Sequence, residues 1–120
     1  MAQTPVPVFA PGQMWSVQSD VGSTIKIIVG RVEPFGLRTA IHVSVIDIPD
    51  QGAGGPNGIA HMPFDETALS ASVAKLMDTD AVPSINFERG YQNWQRDEGG
   101  VFSISVVEAV GLILQTLTAR

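Results

Sequence analysis

Two runs rich in β-branched residues, Thr24 to Glu33 and Thr39 to Ile48, flank the tetrapeptide Glu33-Pro34-Phe35-Gly36. Proline at the second position and glycine at the fourth match a type I turn, so the two runs are expected to pair as an antiparallel hairpin. The second run alternates Ile41, Val43 and Val45 against His42 and Ser44, the pattern of a strand with one buried face. The phase then slips, because Ile46 and Ile48 fall on the other side around Asp47. A bulge near Val45–Ile46, or burial of both faces at that end, would produce the slip. A shorter strand is expected ahead of the hairpin, from Gln13 to Gln18, around Met14, Trp15 and Val17.

Helical spacing takes over in the second half. Asp65 is placed to cap a helix, with Phe64 and Leu69 as a hydrophobic staple and Leu69, Val73, Leu76 and Met77 as one apolar stripe ending at Asp78-Thr79-Asp80. A second helix is expected from about Asn86 to Arg96, with Phe87, Tyr91 and Trp94 on one face and Gly99-Gly100 beyond its end. A third opens at Ser105, where Ser105 and Glu108 have capping-box spacing, and buries Val106, Val110, Ile113, Leu114 and Leu117. Val101-Phe102-Ser103 either adds a short strand or leads into that helix. Strands followed by helices indicate an α+β fold rather than alternating βαβ units. The expected architecture is an antiparallel sheet of three or four strands in the N-terminal half, covered on one face by about three helices from the C-terminal half.

At 120 residues the chain fits one domain. Residues 1–12, with Pro5, Pro7 and Pro11, read as an extended or disordered arm, and 13–120 as a single α+β domain. Pro49 to Ala60, with four glycines and two prolines, reads as a loop. The proline-rich Thr4 to Pro7 also has the composition of a recognition peptide for an aromatic groove. Seven basic and twelve acidic side chains give a net charge of −5, which excludes a protein that grips nucleic acid by neutralising phosphates. With 44% hydrophobic residues the chain has enough apolar material for a core and is not a disordered protein. It has no cysteine, which removes disulfides, thiolate metal sites and cysteine nucleophiles. A basic n-region with an apolar run is missing at the start, and no stretch is apolar for the ~18 residues a membrane helix needs, so a cytoplasmic location is expected.

Chemistry has few places to reside. The loop sequence Gly52 to Gly58 lacks the lysine and following helix of a phosphate-binding P-loop, and Asn57 stands where a dinucleotide fingerprint needs glycine. There is no GxSxG motif, and Ser105 already has a capping role. Asp47 and Asp50 are candidates for paired carboxylates, although turn aspartates are usually solvated. His42 projects away from Ile41 and Val43, onto an open sheet face or under a helix, and His61 precedes Met62-Pro63-Phe64. With Asp65 or Glu66 the two imidazoles could supply the minimum ligand set of a catalytic zinc or iron site. The spacing carries no local metal signature, and the alternative is that each ring packs and donates to a backbone carbonyl. Tyr91 and Trp94 either pack into the core with Phe87 or form, with Arg96, a protein-recognition patch.

Four blocks stand out together: Ala40-Ile41-His42-Val43-Ser44, Ile59-Ala60-His61-Met62-Pro63-Phe64, Gly90-Tyr91 with Trp94, and Gly100-Val101-Phe102 leading to Val107-Glu108-Ala109-Val110. In these the chain resembles a family of small bacterial proteins of uncharacterised function, over roughly Gly12 to Leu117. The resemblance implies a compact single-domain bacterial protein and supplies no catalytic residue or cofactor. The function expected is that of a binding or protein-interaction module without catalytic activity. The acidic balance suits a basic protein partner, and the positive mean hydropathy of +0.18 suits self-association as a homodimer. The alternative is a small metal-assisted enzyme using His42, His61 and a nearby carboxylate such as Asp65.

Overall fold

The computed structural model describes residues 8–17, 25–47 and 58–118, with side chains of the last helix described as far as Ile113. The fold is α+β. Its strands are β1 (Met14–Val17), β2 (Lys26–Phe35), β3 (Arg38–Ile46), β4 (Ile59–Asp65) and β5 (Val73–Asp78). The helices are α1 (Glu66–Ser72), α2 (Phe87–Arg96) and α3 (Val106–Thr118). All five strands lie in one antiparallel sheet of order β4-β3-β2-β1-β5, so the expectation of three or four strands is corrected to five.

The hairpin of β2 and β3 forms as expected, with a different turn. Phe35 pairs with Arg38, leaving only Gly36 and Leu37 between the strands, and Gly36 has φ 63°. Glycine with positive φ at the first central position is the geometry of a II′ connection, whose twist matches the flanking strands better than a type I turn. Pro34 therefore sits inside β2, opposite Thr39. β1 covers only Lys26 to Ile28 of β2, so the proline lies where one edge of the strand is open and its missing N–H costs no ladder bond.

The two additional strands come from residues that read as the approach to a helix and as its second half. Ile59–Asp65 pairs with β3. Helix α1 stops at Ser72, and Val73–Asp78 continues as β5 against β1. The stripe Leu69, Val73, Leu76, Met77 fits a helix on paper, but pairing with the open edge of β1 prevails, and Leu76 and Met77 end up exposed. Ser72 marks the change: its hydroxyl donates to Ala68 O at 3.0 Å and accepts from Val106 N at 3.0 Å, tying the end of α1 to the start of α3. Asp65 and Val73, eight residues apart through α1, are only about 12 Å apart at helical rise. A flat sheet would separate its two edge strands by about 19 Å, so this sheet must curl.

Helices cover both faces of the sheet, not one. Ile27, Val29, Ile41, Val43, Val45, Met62 and Phe64 form the main core with Leu69 of α1 and Val106, Ala109 and Val110 of α3. Helix α2 packs on the opposite face of β3 and β4, which buries both sides of β3 from Ala40 to Val45. The capping box of α3 is realised: Glu108 N donates to Ser105 Oγ at 3.1 Å and Ser105 N to Glu108 Oε1 at 3.4 Å. Phe102 makes an isolated parallel bridge to Phe64 along the outer edge of β4. Of the residues assigned to the arm, Phe9 is buried edge-on against Trp15, and Gly12 N donates to Val29 O at 2.9 Å. Thr4 to Pro7, most of the glycine-rich loop and the side chains of Leu114 and Leu117 lie outside the described residues. None of the described helices is long and apolar enough to cross a membrane.

Candidate functional site

The face of the sheet beneath α2 carries a polar chain, beside an irregularity in the pairing of β2 with β3. From Lys26 to Val29, β2 runs in one register with β3; beyond Gly30 the register moves by one, so that Arg31 opposes His42. Side chains alternate with period two, so the extra residue reverses the facing of everything after it. Without it Arg31 and Glu33 would share the apolar side with Ile27 and Val29. With it they stand beside His42. On the other side of β3, His42 opposes Pro63, so His61, two residues earlier in β4, is its diagonal neighbour, and a second shift, between Val43 and Val45, follows directly and adds a residue to β4.

His42 is completely buried. Its Nε2 lies 3.2 Å from Glu33 Oε2 and its Nδ1 lies 2.9 Å from His61 Nε2. The other carboxylate oxygen, Glu33 Oε1, accepts from Tyr91 OH at 2.7 Å and from Arg31 Nε at 2.9 Å. The Arg31 guanidinium also sits 4.5 Å above the Tyr91 ring. The faces of α2 close the cluster: Trp94 and Tyr91 stand edge-on to His42 with centroids 4.5 and 4.9 Å away, and Phe87 packs 5.5 Å from His61. Two glycines permit this approach. A Cβ on Gly30 would lie 2.4 Å from the Phe87 ring, and one on Gly90 would lie 2.6 Å from His61 Cβ.

Charges and proton positions follow from these contacts. Burial alone would raise the Glu33 carboxyl, but hydrogen bonds from Tyr91 and Arg31 and the neighbouring His42 outweigh it and hold it below its usual range. Burial lowers His42, against the pull of Glu33. Burial and the adjacent His42 lower His61 to about 4. Both rings are thus neutral at physiological pH. The ionised carboxylate only accepts, so His42 Nε2 carries its hydrogen and His42 Nδ1 is a bare acceptor. His61 Nε2 must then be the donor to it, which leaves His61 Nδ1 with a lone pair. That atom has no hydrogen-bond partner among the described residues. Among the described residues Ser70 Oγ alone is a fully enclosed side-chain polar atom without a partner, so Nδ1 of the partly buried His61 is open to solvent.

Of the remaining candidates, Tyr91 and Trp94 join the cluster and the others fall elsewhere. Tyr91 is buried and Trp94 donates Nε1 to Gly100 O at 2.9 Å, so both belong to the packed underside of α2. Arg96 is exposed and bonds Asn93 Oδ1 at 2.9 Å, apart from the cluster. Asp65 occupies the cap position of α1 without a side-chain cap bond; its Oδ2 pairs instead with Arg38 at 2.9 Å, beside an open cleft of about 510 Å³. Asp47 pairs with Lys26 at 3.0 Å, and Asp50 lies outside the described residues. Among the described residues no three histidine, aspartate or glutamate side chains gather so as to hold a metal ion. Glu33 and Arg31 were not legible as site residues, because Glu33 reads as the first residue of a turn. The available signal was Gly30 inside a β-branched run whose apolar phase changes from Ile27 and Val29 to Val32. No protein-family model, curated protein or solved structure matches this chain.

Proposed function

We propose that this protein is a small binding module whose recognition atom is His61 Nδ1, a fixed hydrogen-bond acceptor at the edge of α2. The observation that carries the reading is the continuous chain Glu33–His42–His61, which ends on a ring nitrogen without a hydrogen-bond partner among the described residues. Two features support binding over proton transfer. A general base works best with a pKa near the working pH. With a pKa of about 4, His61 would hold a proton in only about one molecule in a thousand at pH 7. As a neutral acceptor in a fixed tautomer it needs no proton and stays the same through the physiological range. The ligand group is one that donates from nitrogen or oxygen, and the net charge of −5 favours a basic donor such as an ammonium or guanidinium group on a protein partner.

The metal-assisted alternative has less support. Both nitrogens of His42 are engaged, Asp65 is held by Arg38, and only one ring nitrogen is open. Amide chemical-shift mapping with small fragments separates the readings. Methylguanidinium and methylammonium should perturb amides around His61 and Gly90, and His61→Phe should abolish the effect. Equal perturbation in the variant, or none in either protein, would remove the binding reading. Saturable zinc binding that requires both histidines would replace it with the metal centre.

A further inference from the structure

The two oxygens of Glu33 are not equivalent. Oε1 receives Arg31 Nε and Tyr91 OH, whereas Oε2 faces a single imidazole nitrogen. An arginine N–H can only donate, so the Oε1 position must be an acceptor in any functional arrangement. The Oε2 position is different, because a neutral imidazole nitrogen either donates or accepts. Each ring in the chain has one N–H and one bare nitrogen, so the role chosen at His42 Nε2 fixes every role that follows, out to His61 Nδ1.

We propose that Glu33 is the specificity-determining residue of this site: from two rings away it sets whether the solvent-facing nitrogen of His61 accepts or donates. This rests on the reading of His61 Nδ1 as the recognition atom. A carboxylate makes Oε2 an acceptor, places hydrogens on both Nε2 atoms and selects donor ligands. In Glu33→Gln the amide oxygen stays on Arg31 and Tyr91, and the NH2 group takes the place of Oε2. It then donates to His42 Nε2, His42 Nδ1–H donates to His61 Nε2, and the hydrogen of His61 moves to Nδ1. Both rings stay neutral, no heavy atom is added to the site, and the ligand preference inverts from donors to acceptors.

The relay and the binding reading are tested separately. Long-range 1H–15N spectra of the imidazoles, recorded near pH 7.5, should show hydrogen on Nε2 of both rings in the native protein and on Nδ1 of both in Glu33→Gln. Tyr91→Phe, in which Arg31 still holds Oε1, should keep the native pattern. A folded Glu33→Gln protein that retains Nε2–H on His61 overturns the inference, as does Nδ1–H on either ring of the native protein. The native spectrum decides the matter even where the variant fails to fold. Fragment mapping supplies the second readout: methylguanidinium should lose its effect on the variant, and an acceptor-only probe such as N-methylpyrrolidone should gain one. Inverted tautomers with no fragment binding to either protein leave the relay standing and refute the binding reading alone.

Discussion

Acidification should cost this protein stability in a range set by its histidines, above that of its carboxylates. His61 has an unfolded value of 6.5 and a folded value of about 4, so the unfolded chain takes up a proton that the native state refuses. The contribution is complete above pH 6.5 and is lost as the pH falls towards 4. A shift of that size corresponds to at most about 3 kcal/mol, and solvent at the open side of the ring screens it to about 1–2 kcal/mol. His42 is shifted in the same direction and adds to the loss. Glu33, held below its usual 4.5, gives up its own contribution only at lower pH. The chain has two histidines and both lie in this cluster, so few other side chains titrate in the window. Urea unfolding of the native protein and of His61→Gln, at about pH 7.5 and pH 5, provides the assay. The glutamine amide can still donate to His42 Nδ1, so the packing of the pair is kept. The native protein should lose about 1–2 kcal/mol between the two conditions and the variant distinctly less. An unchanged or increased stability at the lower pH, or an equal loss in the variant, would refute a neutral buried pair.

Other perturbations reach the parts that hold the cluster together. Gly30→Ala should destabilise by about 1–3 kcal/mol by urea unfolding, since its methyl would strike the Phe87 ring against a well-packed face. Gly90→Ala should also destabilise, the clash with His61 exceeding the roughly 1 kcal/mol that alanine gains over glycine in a helix; a more stable variant would show that α2 does not press on His61. Trp94→Ala removes a ring packed on both His42 and Phe35 and should cost about 2–4 kcal/mol, read as a lowered Tm; an intact Tm would make Trp94 a surface residue. Ser105→Ala opens the capping box of α3 and should cost about 1 kcal/mol, with no effect on the histidine spectra.

The legible parts of this fold were those governed by local chemistry. The hairpin, the helix carrying Phe87, Tyr91 and Trp94, and the Ser105–Glu108 cap each follow from residues within a few positions of one another. Simple alternation put His42 on the face opposite Ile41 and Val43 but left open whether that face was bare or covered by a helix. The fifth strand did not, because Val73 to Met77 satisfy a helical stripe and a strand equally, and only the open edge of β1, nearly sixty residues earlier, decides between them. The site was hidden for a related reason. Its assembly depends on a one-residue register shift at Gly30 and on the pairing of β3 with β4, and a shift changes which face a side chain occupies without changing its identity. The Pro34–Gly36 turn pattern assigned Glu33 to a turn; the pairing of β2 with β3 beyond Gly30 makes it the anchor of the chain. His42 and His61 were singled out from the sequence, but their 2.9 Å contact depends on the pairing of β3 with β4, a strand that read as loop and helix approach.

A neutral, directional hydrogen-bonded chain from Glu33 through His42 to His61 would leave an acceptor at the surface. It can be read from the 15N spectrum of the two imidazoles in the native protein at pH 7. Both rings should be neutral, with hydrogen on Nε2 and none on His61 Nδ1. An imidazolium at either position, or hydrogen on His61 Nδ1, would contradict it.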